Sequence, residues 1–216
     1  MVRKLVILAL LPLWSLVVMQ LAGCATGPVT QYQMMKEIPA ERIASDRAGI
    51  LRMTKPQGLP MFDDPVNSSI DEDDPMAVVK VGQTTFRTHY ELYAFDGKQG
   101  RRFKAKLFSY CDCLGFRKFM MLPYIEVFDR HGNKVSSGAS SLREKPPGFV
   151  DPFHIVGIWV GTLPADGIYF VMVAADNRCI GGSAGTVQGH GAPPLGMQMS
   201  AQHHPFGKYT LKFSMR

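Results

Sequence analysis

Arg102-Phe103-Lys104-Ala105-Lys106-Leu107 alternates a cation with an apolar residue at every step. Successive side chains of an extended strand point to opposite faces, so this stretch sends Phe103, Ala105 and Leu107 inward and Arg102, Lys104 and Lys106 toward water. Near the other end of the chain, Tyr209, Leu211 and Phe213 alternate in the same way with Lys208, Thr210 and Lys212, which predicts a second half-buried strand. Thr85 to Phe95, Met121 to Asp129, His154 to Leu163 and Ile168 to Ala175 are rich in β-branched and aromatic residues, the composition of strands. Asp96-Gly97, His131-Gly132-Asn133 and Asp166-Gly167 punctuate these runs with residues that tolerate positive φ. Many short strands joined by such turns, with almost no helical period beyond Met76, predict an all-β fold: an antiparallel β-sandwich rather than an α/β sheet.

The composition agrees with one core. The chain has 216 residues, 46% hydrophobic and 19% charged, which excludes a long disordered chain and a polytopic membrane protein. The formal charge of +6 falls to +4 without Arg3 and Lys4. Its lysines and arginines are dispersed rather than gathered into a stripe, so a nucleic-acid partner is not expected.

The first 23 residues read as a leader. Met1-Val2-Arg3-Lys4 precedes an apolar run from Leu5 to Val18 broken only by Pro12 and Ser15. This run is shorter than the roughly 20 residues that span a bilayer, which favours an export signal over a membrane anchor. Leu21-Ala22-Gly23-Cys24 closely resembles the bacterial lipoprotein box. The resemblance implies removal of residues 1–23 and a mature N-terminus at Cys24 carrying acyl chains such as palmitate. Several chains at about 0.8 kcal/mol per buried methylene hold a protein on a membrane essentially permanently. Within that family an aspartate after the cysteine marks retention in the inner membrane. Ala25 therefore implies the outer membrane, facing the periplasm, with surface display as the alternative.

Residues 24–75 are expected to lie outside the sandwich. Cys24 to Lys36 reads as a polar tether, and Glu37 to Met53, with Ile38, Ile43 and Ile50-Leu51, as one short helix. Lys55 to Pro75 carries Pro56, Pro60, Pro65 and Pro75 with six acids and reads as an irregular linker, since proline and like-charge repulsion oppose regular structure. Asp71 to Asp74 lacks the spaced oxygens, central glycine and distal glutamate of an EF-hand. The sandwich is expected over 76–216.

Four stretches of that region resemble the bacterial pre-peptidase C-terminal domain, a jelly-roll-like β-sandwich. Leu92 to Phe103 is similar to its opening hairpin, Pro123 to Val135 to its central strand, Leu163 to Val173 to its glycine turn and tyrosine-bearing strand, and Gly207 to Phe213 to its last strand. The resemblance covers roughly Val79 to Met215 and implies a non-catalytic module that assists binding, secretion or stability. Cys111-Asp112-Cys113 and an insert at 180–206 depart from the pattern.

Three cysteines remain beyond Cys24, and an exported chain meets an oxidising compartment. A disulfide from either Cys111 or Cys113 to Cys179 is expected to staple two strand ends. Binding of metal by the C-x-C thiolates lacks a second cysteine pair at suitable spacing. The insert holds His190, Met197, Met199, His203 and His204 with no charged residue between Ile180 and Gly207. Thioether and imidazole together suit copper, although methionine also fills irregular gaps. Gly181-Gly182-Ser183-Ala184-Gly185 matches the G-x-S-x-G of serine hydrolases, whose serine sits on a strand-to-helix elbow. No helical pattern follows, and no acid occurs after Asp176. Trp159 with Tyr90, Tyr93 and Tyr124 offers a sugar-binding face or, as strand aromatics more often do, core. No zinc-protease or phosphate-loop motif occurs, and no cofactor is expected. The function expected is a lipid-anchored envelope protein, not an enzyme, whose sandwich binds or scaffolds a protein or glycan partner. The alternatives are a copper-handling lipoprotein using the insert and, last, a hydrolase at Ser183.

Overall fold

Ile168-Tyr169-Phe170-Val171-Met172-Val173-Ala174-Ala175 has no polar face, and a strand of this kind must be covered on both sides. A computed structural model of the protein shows how. It describes residues 27–60, 64–112, 118–137, 141–145, 153–188 and 198–216. The described chain is mostly β, with two helices, α1 (Pro28–Glu37) and α2 (Arg47–Met53).

The central sheet has seven strands. Its path runs β1 (Ile43–Ala44), β4 (Met76–Val81), β5 (Thr84–Gly97), β12 (Gly167–Ala175), β8 (Pro123–Asp129) and β9 (Lys134–Ser137), with β2 (Gln57–Gly58) paired to β5. An outer sheet of five strands runs β10 (Ser141–Lys145), β11 (His154–Thr162), β6 (Arg102–Tyr110), β15 (Gly207–Met215) and β3 (Val66–Ile70). A small third sheet joins β13 (Ser183–Gln188), β14 (Gln198–His204) and β7 (Phe119–Met121). Pairing is antiparallel except for three short parallel contacts, β1 with β4, β2 with β5 and β14 with β7.

The alternating stretches lie in the outer sheet, as expected. Phe103, Ala105 and Leu107 of β6 and Tyr209, Leu211 and Phe213 of β15 are buried, while Arg102, Lys104 and Lys208 are exposed. They meet Tyr93 and Phe95 of β5, Tyr169, Val171 and Val173 of β12, and Ile125 and Val127 of β8 in the main core. Trp159, Tyr93, Tyr90 and Tyr124 are all buried, so these aromatics are core and form no sugar platform.

The opposite face of the central sheet is apolar too. Tyr90 and Leu92, Phe170 and Met172, and Tyr124 and Phe128 form a second core with Ala44 and Ile50, packed by Tyr32 and Leu51. A third cluster joins Met35 of α1, Ile43 and Met76, packed by Ile38 and Phe206. The expected tether therefore contains α1, folded onto the sheet. The expected helix over 37–53 is divided into a 3-10 turn (Ala40–Arg42), β1 and α2. The expected linker contains β2 and β3, the latter paired with β15 from Ile70 opposite Gly207 to Val66 opposite Leu211. The reason is common to all three: the central sheet needs a second cover and the outer sheet needs an edge strand. The insert at 180–206 is corrected similarly. Ala184 and Ala201 pack with Met120, Phe153 and Ile155 in a core of their own.

Local chemistry fixes these pieces. Asp46 caps α2 by accepting from the Gly49 N–H at 2.6 Å. Arg87 of β5 donates through Nη1 to the carbonyls of Met35, Lys36 and Ile38 at 3.2, 2.9 and 2.8 Å, closing the C-terminal end of α1 where carbonyls lack intrahelical partners. Gly97 lies within β5 instead of at a turn. A methyl there would lie 2.5 Å from Tyr169 Cδ2, so close ring approach demands the glycine. The chain reverses after it, with Gly100 at φ +76°.

One carboxylate interrupts the second core. Glu126 is 4% exposed; it pairs with Arg47 of α2 and accepts from the Tyr124 hydroxyl at 2.8 Å. Burial, followed by the neighbouring Glu126 charge, pushes the Tyr124 phenol far above its usual range, so it stays a donor. Removing one partner of a buried pair strands the other charge, at a cost of roughly 3 kcal/mol. Arg47→Ala is thus expected to lower the urea midpoint by a corresponding amount, whereas Arg52→Ala on the same helix leaves it in place. Equal midpoints for the two variants would remove Arg47 from this role.

Candidate binding cleft

Four distant segments converge at one end of the outer sheet. Asp112 and Phe119 exchange backbone hydrogen bonds at 2.8 and 3.3 Å, closing the excursion between β6 and β7. Parallel pairing places His203 beside Met120 and His204 beside Met121. The β15–β3 register sets Lys208 opposite Ser69. Between these elements opens a cleft of about 600 Å³, whose lining includes Asp71, Tyr110, Asp112, Phe119, His204, Phe206 and Lys208.

Its aromatic wall is continuous. Phe119 stacks on His204 with centroids 4.9 Å apart and planes at 29°, and His204 meets Phe206 edge-on at 5.7 Å. Phe206 in turn lies 5.3 Å from His89. The His204 Nδ1 sits 3.1 Å from the Phe206 carbonyl and 3.2 Å from its N–H, which fixes the ring. Around the rim stand the exposed Asp71, Asp112 and Lys208. Ser69 donates to Asp71 Oδ2 at 2.5 Å. An apolar wall with a few polar groups converging at the rim suits a ligand that has one flat apolar face and hydrogen-bonding edges.

A second polar centre is enclosed by the sheets. Glu91 accepts from the hydroxyls of Ser68 at 2.8 Å, Tyr93 at 2.5 Å and Tyr209. Burial holds the phenols of Tyr93 and Tyr209 well above their usual range. All three hydroxyls are committed to one carboxylate, so the cluster ties β3, β5 and β15 together.

The sequence-predicted residues are scattered. Cys24, Cys113, His190 and Met197 lie outside the described residues. Cys179 is an exposed free thiol, which overturns the staple to Cys111 or Cys113. Cys179 ends a short 3-10 turn beyond β12 (Asn177–Cys179). Cys111 is disulfide-bonded. Met199, His203 and His204 fall on β14. Consecutive positions of a strand face opposite ways, so His203 is buried with no partner for its Nδ1 while His204 lines the cleft. The two imidazoles do not converge on one ion. Among the described residues no group of three His, Cys, Asp or Glu side chains is placed to hold a metal.

Ser183 opens β13, exposed, its hydroxyl accepting from the Gly185 N–H at 3.3 Å. A strand follows it, not the helix of a nucleophile elbow. The sequence reading missed the cleft residues Tyr110, Phe119, Phe206 and Lys208, which no local spacing unites. It also missed Glu126, whose position between Ile125 and Val127 in an apolar run was a visible signal. No protein-family model matches the chain, and no curated protein matches it.

Burial lowers the affinity of His89, His203 and His204 for a proton, outweighing the nearby acids. An unfolded chain protonates these rings as pH falls through about 6.5. The folded chain resists, so stability is intact above that value and declines below it toward the lowered folded values. The urea midpoint is expected to fall between pH 7.5 and 5.5, and less steeply in His204→Phe; parallel curves for both proteins would exclude this ring. Alkylation without reductant is expected to modify Cys179 and spare Cys111, and a Cys179–Cys111 linked peptide would restore the staple.

Proposed function

We propose that the protein is a lipid-anchored component of the bacterial cell envelope, outer-membrane and periplasm-facing, whose jelly-roll-like β-sandwich binds or scaffolds an envelope partner without catalysing a reaction. The observation that carries this reading is Leu21-Ala22-Gly23-Cys24 behind a short apolar run, three residues ahead of Gly27, the N-cap of α1. Among the described residues no helix is long and apolar enough to cross a membrane, so the membrane attachment in this reading falls to the acyl chains at Cys24. Confinement to a surface raises the effective concentration of a binding module without any new contact.

The cleft is the favoured contact for the partner. Its aromatic wall supplies rigid area at small entropic cost, and Asp71, Asp112 and Lys208 supply orientation. Envelope proteins and glycans both present such chemistry. The position of His204 and His203 on opposite faces of β14 offers no comparable support for copper.

Radiolabelled palmitate is expected to enter the wild-type chain and not Cys24→Ser. Affinity capture from detergent-solubilised envelopes is expected to bring down a partner that Phe119→Ala weakens, with the fold intact by circular dichroism. An unlabelled chain would sink the anchor, and a partner indifferent to Phe119→Ala would move the interface elsewhere.

A further inference from the structure

Only Ala25 and Thr26 separate Cys24 from Gly27. Gly27 is the N-cap of α1, its carbonyl accepting from the Gln31 N–H at 3.1 Å. At about 3.5 Å per residue, the chain from Cys24 reaches no more than roughly 11 Å before it enters that helix.

The helix cannot swing away to lengthen this reach. Pro28 is buried at its start and Met35 near its end. Arg87 grips its last carbonyls from the central sheet. At the first turn Val29 lies against Gly181, where an added methyl would come 2.6 Å from Val29 Cγ2. That turn is in turn sewn to β14: the Gly181 N–H donates to the His203 carbonyl at 3.1 Å, and the His203 N–H to the Gly182 carbonyl at 2.9 Å.

The headgroup layer of one leaflet is roughly 5–8 Å deep. A leash of about 11 Å starting from acyl chains therefore ends at or just beyond the headgroups. Resting on the reading of Cys24 as the lipid-bearing residue, we propose that the first turn of α1 and the neighbouring turn at 179–182 lie directly against the phospholipid headgroups, so that the domain is held in one orientation at the bilayer surface.

The surface at this end fits that neighbour. The first turn of α1 carries no acid, so nothing on it repels an anionic leaflet. Val29 is 52% exposed and Met34 57%, with Thr30 and Gln33 exposed between them. In the adjacent turn the charge of Arg178 is matched by Asp176 at 2.6 Å. One consequence follows for the cleft. His204 lies in its wall, one residue beyond the His203 backbone that holds the 179–182 turn, so the wall is built onto the membrane-facing end.

Cys179 provides a native reporter because it is exposed and free. The full lipidated chain, labelled there with a nitrobenzoxadiazole iodoacetamide, is reconstituted into phosphatidylethanolamine/phosphatidylglycerol vesicles with or without a headgroup-nitroxide lipid. Label remaining on Cys179→Ser is subtracted, and intact mass reports acylation of Cys24. The fluorescence is expected to fall about twofold with the nitroxide, as for a probe at headgroup depth. A twenty-residue Gly/Ser insertion between Thr26 and Gly27, with a mean reach of roughly 25 Å, is expected to abolish the loss. An acylated chain whose label is not quenched would overturn the orientation and leave the anchor standing. A chain without acyl groups would overturn the anchor itself. Quenching undiminished by the insertion would overturn the short leash as its cause.

Discussion

A sheet that is apolar on both faces must be covered twice, and the rest of this protein follows from that requirement. β5, β12 and β8 each send one set of side chains into the main core and the alternate set into the second. The outer sheet covers one side. The segment from α1 to α2 covers the other, and it brings Arg47 to Glu126. Charge and cover arrive on the same helix, so the second core closes without an unpaired ion.

Two carboxylates, the buried Glu126 and the half-buried Glu91, divide the labour of alignment. Glu126 locks the N-terminal cover to β8, while Glu91 gathers hydroxyls from β3, β5 and β15. A slip of one residue in any of these strands would turn a polar group into a hydrocarbon layer. These polar contacts thus help to hold the register of the sandwich. The third sheet, with its own small core, carries β14 past the end of the sandwich and supplies the His204 wall of the cleft.

Legibility in the sequence followed the range of the interactions. The strict alternation in β6 and β15 was readable because each pattern is local and one face meets water. The unbroken apolar run of β12 carried the message of two covers, but a run of this kind does not say what the covers are. Val66–Ile70 sits among prolines and acids that signal a linker, and it becomes a strand only because β15, far along the chain, offers an edge. Cys179 was readable as a cysteine near a strand end, yet which ends meet is a property of the assembled sheets. The cleft draws single residues from β3, β6, β7 and the β14–β15 turn, a set that no motif could have joined. Gly97 looked like a turn former and is instead a gap left for the Tyr169 ring.

The position of β15 between β6 and β3 has a kinetic consequence. β3 has no partner in the outer sheet until residues 207–215 are available, so one of its first strands waits for one of its last. Closing so long a loop is entropically slow, and contacts between distant segments lower folding rates more than they lower stability. The half-built outer sheet would present the alternating edge of β6 in the interim, and that edge carries Arg102, Lys104 and Lys106, like charges that discourage two unfinished chains from pairing.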